Sequence, residues 1–237
     1  MTLLMLLLCT VGQPSVGGNN SFSPGFRLGT CFQASFPSMQ DEKDFADMNT
    51  AAGLDFELGS VAWGGSIELL ADVSEKFRIR GSVGISRLHG AYEDEYDPMQ
   101  YILVGLLTGG LGFLLGETED VVDLNDEAVT IEVQAYYVLT RTPALSISAG
   151  AGPVYTFASR KLDSPNTSTS GKGSGLGFTA SIRLDQESTV RLGCIPLMFG
   201  LEAGYKMNSV NINDEEADNF ELDFSGPFAK IGSYIGL

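Results

Sequence analysis

Seven charged residues stand at alternating positions inside stretches that are otherwise apolar or small: Glu68, Arg78, Arg80, Glu132, Arg183, Glu202 and Lys206. Four are basic and three acidic, so on a shared face they could pair into an ion-pair plug or line a small polar passage. A second candidate is the acidic character of the longer connections. Nineteen of the thirty Asp and Glu residues fall at 37–55, 90–126, 159–173 and 211–219, against four Lys and Arg. Such loops could bind divalent cations or repel anions. None has the spacing of a calcium-binding loop, and simple solvation of exposed loops is the plainer explanation. The one histidine, His89, lies near Ser86 and Glu93. A Ser–His–Glu set works only in hydrogen-bond contact, which spacing alone does not show; a histidine at a strand's outer rim is the plainer reading, and no enzyme activity is expected. Cys9, Cys31 and Cys194 form no metal-ligand or redox pattern, and no cofactor is implied. A Cys31–Cys194 disulfide would need an oxidising compartment.

Composition narrows the class. The net charge of −16 argues against a nucleic-acid partner, because phosphate binding needs a basic surface. With 43% hydrophobic residues and 29 glycines in 237, the chain is too apolar for disorder and too rich in glycine for a helical protein. Residues 1–17 read as a secretory signal peptide whose apolar core, Met1 to Gly12, is shorter than the ~20 residues of a spanning helix. Residues 18–237 then form one domain.

The elements that position the charged residues are strands. Phe26, Leu28, Thr30, Phe32, Ala34 and Phe36 alternate with Arg27, Gly29, Cys31, Gln33 and Ser35. The same period-2 pattern recurs at about 56–71, 77–89, 127–140, 144–158, 174–186 and 197–210, and in a last strand that reaches Leu237. That gives eight strands. Pro153 suggests a bulge or rim position, and Gly226-Pro227 suggests a one-residue change of phase. Folding 56–71 and 77–89 about residue 74 sets Ala71 opposite Phe77, Leu69 opposite Ile79, and Glu68 opposite Arg80.

The second face of these strands decides between a soluble barrel and a membrane one. It is mostly Gly and Ser with the sparse charges above, which suits a crowded narrow interior. The first face is Phe, Leu, Ile, Val and Ala, as lipid contact requires, with Trp63, Tyr137, Tyr155 and Tyr205 as interface aromatics. The fold class expected is all-β: an antiparallel up-and-down transmembrane β-barrel of eight strands. The uncharged insertion Tyr101–Gly116 leaves ten open through an extra strand pair about Thr108-Gly109-Gly110. It could equally be a structural cap or a gate for an apolar solute.

The C-terminal pattern Lys230-x-Gly232-x-x-Ile235-x-Leu237 resembles the assembly signal of bacterial outer-membrane β-barrels, with Leu where that family usually has Phe. Over residues 25–237 the chain resembles the small eight-stranded OmpA/OmpX/OmpW-like barrels. The resemblance implies a cell outer-membrane location in a Gram-negative envelope, surrounded by lipid and lipopolysaccharide, and recognition by the barrel-assembly machinery. It implies a structural or surface-interaction role with a narrow or closed lumen. The alternative is a porin-like transporter or channel for small solutes, apolar ones included. A lipid A-modifying hydrolase and a soluble ligand-binding barrel are further alternatives. The hydrolase reading is weakened because Ser86-Arg87-Leu88-His89 does not match the deacylase pattern.

Overall fold

In the computed structural model the described residues are 25–39, 43–44, 56–58, 60–92, 123–142, 144–164, 167–192, 195–214 and 220–237. The expected signal peptide, the insertion 101–116 with its possible extra strands, Glu93, Cys9 and Cys194 lie outside them. The strands are β1 (Gly25–Ser35), β2 (Phe56–Leu58), β3 (Ala62–Asp72), β4 (Phe77–Tyr92), β5 (Asp123–Arg141), β6 (Leu145–Ser164), β7 (Thr167–Leu192), β8 (Ile195–Met207), β9 (Ser209–Asp214), β10 (Phe220–Asp223) and β11 (Gly226–Gly236).

Eight of them pair antiparallel in a ring: β1 with β3, then β4, β5, β6, β7, β8 and β11, and β11 back to β1. The seam runs from Arg27↔Gly236 to Ser35↔Phe228, so the two ends of the domain are neighbours. This explains why the sequence stays apolar on alternate residues to its end, since the last strand must satisfy the edge of the first. The three remaining strands lengthen the wall: β2 continues β3 along β4, and the β9–β10 pair continues β8 and β11.

The faces are those the alternation predicts. Ile67, Ile131 and Leu201 are 55%, 44% and 52% exposed, whereas the next residues, Glu68, Glu132 and Glu202, are 0%, 1% and 5% exposed. The charged side is the interior and the apolar side is the outer wall. Tyr137 stacks edge-on against Phe77 near the short-turn end, and Trp63 stacks on Phe32 toward the other. Tyr155 and Tyr205 are also exposed on the outer wall. A belt of large apolar side chains that continuous exceeds what a monomer in water leaves uncovered.

The structure corrects four sequence-based expectations. The β3–β4 register is two residues from the expected one: Ala71 faces Ile79, Leu69 faces Gly81, and Arg80 faces Leu70. The turn is longer than a fold about residue 74 allows. Ser74 Oγ accepts from the amides of Lys76 and Phe77 at 3.3 and 3.1 Å, and Asp72 pairs with Arg78. A shift of two keeps every face, so hydropathy could not detect it.

Pro153 makes no register shift, although the β5–β6 ladder lapses where Gly152 and Pro153 face Val133 and Gln134; the shift between β5 and β6 lies at Val138–Thr140. Gly226-Pro227 makes no change of phase either. Leu222, Phe224, Phe228 and Lys230 are all buried on one side, and the pairings Asp223↔Ser209 and Gly226↔Lys206 share one register. Apolar inward residues at that level had the appearance of a change of face.

Lastly, the polar segment 159–173 is not a loop. The β6–β7 ladder continues to Ser164↔Thr167. Residues polar on both faces carry no alternation signal, although Thr and Ser pair readily across strands.

Candidate functional site: the lumen

The interior has two levels. Toward the long connections it is apolar: Met39, Ala62, Leu88, Ala128, Ala158, Val210, Ile212, Leu222 and Phe224 form one buried cluster. Inward glycines on β7 make the space for it. A Cβ on Gly173 or Gly175 would come within 2.0 Å of a carbonyl oxygen of β9, so β9 can lie close only where β7 has no side chain.

Toward the short turns the interior is ionic. Arg80 is the hub. Its guanidinium contacts Glu202, lies 3.0 Å from Glu132 Oε2, and lies 3.3 Å from Glu68 Oε1. Arg183 reaches Glu68 at 3.1 Å, Asp185 at 2.8 Å and Glu202 at 3.4 Å. Lys206 and Lys230 close on the two oxygens of Glu132, at 2.9 and 3.0 Å. Arg78 joins through Asp185 and through Asp72, at 2.7 Å from the latter. Five buried cations therefore meet five buried carboxylates. Removing such charges from water costs several kcal/mol each and is tolerable only with full pairing and added hydrogen bonds. Tyr136 supplies one by donating to Glu202 Oε1 at 3.0 Å, and Tyr234 another by donating to Glu68 Oε2 at 2.7 Å.

All seven charged residues singled out from the sequence fall in this one network. Sequence reasoning missed Asp72, Asp185, Tyr136 and Tyr234 as its members. Each is inward by the same alternation, which was the available signal. Lys230, expected in the assembly signal, is also a network member. Gly232 lies against Cys31, whose Sγ would be 2.3 Å from an added Cβ. Ile235 pairs with Leu28 and Leu197, and the Leu237 amide donates to the Phe26 carbonyl at 2.8 Å.

Cys31 is a free, buried thiol. Ser86 lines the interior, whereas His89 follows the inward Leu88 and belongs to the other face of β4. The structure does not bring Ser86 and His89 together. Among the described residues no cluster of His, Cys, Asp and Glu is arranged to hold a metal ion. The acidic stretches at 93–97 and 117–120 lie outside the described residues.

No protein-family model matches the chain, and no curated protein matches it. Among solved structures, the outer membrane protein OprG from Pseudomonas aeruginosa superposes with a TM-score of 0.50. It covers 91% of this chain and 96% of its own at 11% identity. The chain has the fold of a small outer-membrane β-barrel. A major outer membrane protein from Thermus thermophilus aligns over 91% of this chain and all of its own, at 12% identity and a TM-score of 0.48. Ail, the attachment invasion locus protein of Yersinia pestis, aligns over 90% of this chain and 97% of its own, at 9% identity and a TM-score of 0.43.

Proposed function

We propose that this chain is a non-enzymatic outer-membrane β-barrel with a closed lumen and a structural or surface-interaction role. The filled interior carries this reading. Eight strands leave an interior that side chains nearly fill, and here ion pairs occupy one level and an apolar cluster the other. The space beside Lys206, Asn208 and Phe228 is about 10 Å³, which is room for about one water molecule. The surface role is favoured by the β6–β7 hairpin. It has 20 pairs where β1–β3 has 11, roughly 30 Å of additional strand at ~3.3 Å per residue.

The test is to refold the chain in detergent, verify the ring by a faster-running unboiled band on a gel, and insert it into a planar bilayer. No current above background is expected at moderate voltage. Stepwise ion current would sink the closed-lumen reading and bring forward transport of small solutes.

A further inference from the structure

The short-turn end of the ring holds an open pocket of about 250 Å³ lined by Arg27, Arg141, Thr142, Leu145, Asp185 and Met198 among others. Its charge is unbalanced. Arg27, Arg78 and Arg141 all converge on one carboxylate, Asp72, at 2.7, 2.7 and 3.2 Å. The other carboxylate, Asp185, is already shared between Arg78 and Arg183. Four guanidinium nitrogens among the described residues are buried with no hydrogen-bond partner: Arg27 Nη1 on the pocket lining, Arg78 Nη2 on the same Asp72 cluster, and Arg80 Nε and Arg183 Nη2 deeper in the ring. A buried charged donor left unpaired is costly. Arg141 stays 35% exposed and Arg27 17%, so an incoming group can reach both.

We propose that this pocket binds a phosphate group, free or carried by a phospholipid headgroup. Two guanidinium forks from different strands offer several N–H donors in different planes, which a tetrahedral oxyanion can accept together. The apolar side of the pocket, Ala144, Leu145 and Met198, suits the hydrocarbon part of a lipid. The site stands out because the whole chain carries −16 and opposes anions at long range. Capture here depends on local donors. A membrane phospholipid as the source of the phosphate rests on the outer-membrane reading above; the pocket itself does not.

The test uses the refolded full chain in zwitterionic detergent at low salt. Inorganic phosphate and a short-chain phosphatidic acid are titrated in separate arms by calorimetry. Saturable binding is expected in at least one arm, weakened about tenfold or more by the Arg27→Gln/Arg141→Gln pair. It should be unchanged by Arg87→Gln, which removes an outward arginine paired with Glu127 toward the opposite end. Each variant is first shown to keep its heat-shifted gel band, and Arg141→Gln alone, at the more exposed position, serves if the pair fails to fold. Binding of phosphatidic acid alone assigns the site to lipid; binding of both assigns it to the phosphate group itself. No saturable binding in either arm, or equal binding in the variants, overturns the proposal. Because the readout is not conductance, a folded ring that passes current sinks the closed lumen and leaves this site standing.

Discussion

Tyr234 and Glu68 meet inside the ring with the phenol donating to Oε2 at 2.7 Å, although 166 residues separate them in the chain. The contact ties the last strand to β3 across the strand between them, β1. It adds a donor from another strand to the carboxylate, whose Oε1 accepts from Ser66 Oγ of β3 at 3.4 Å. Tyr234→Phe removes one oxygen and leaves the ring in place. A hydrogen bond to a charged group is worth ~1.5–3 kcal/mol, so the variant should lose about that much in urea unfolding in detergent.

Arg80 answers for three carboxylates, Glu68, Glu132 and Glu202. Arg80→Met should cost ~3–5 kcal/mol, because it leaves buried charge uncompensated. Adding Glu202→Gln removes part of that excess, so the double variant should be more stable than the sum of the two single losses predicts. Additive losses in the double-mutant cycle would contradict the network.

The outer wall is testable by a single charge. Val133 is 51% exposed in the middle of β5. Val133→Arg should cost ~2–4 kcal/mol for a chain unfolded from lipid vesicles, as an arginine at bilayer depth does. An exposed residue in water would change stability by no more than ~0.5 kcal/mol, and that result would remove the lipid-facing assignment.

Two glycines should respond with opposite signs. A Cβ on Gly150 would sit 2.4 Å from the Tyr136 ring, whereas one on Gly81 meets nothing within 4 Å. Gly150→Ala must displace a buried ring and should destabilise by ~1–3 kcal/mol. Gly81→Ala only restricts the unfolded chain and should stabilise by ~0.4–1 kcal/mol. Unfolding midpoints of the two variants check both.

Much of this was legible in the sequence, because a sheet with one lipid face and one crowded face writes its orientation into every second residue. That is how Glu68, Arg80 and Arg183 could be grouped before any coordinates. Three things were not legible, each for a physical reason. A register displaced by two leaves every face unchanged, so Leu70 opposite Arg80 was invisible. The hairpin at 159–173 is polar on both sides and shows no period. The interior changes from ionic to apolar along its length, so Phe224 and Phe228 looked as though the strand had turned over.

Lys230 has a consequence of its own. On an open strand its ammonium is available to any receptor, whereas in the finished ring it is enclosed between Glu132 and Glu68. A receptor that reads this side chain can therefore engage the precursor and has nothing to hold once the ring closes. For such a receptor, release would need no separate signal, because closure itself would withdraw the handle.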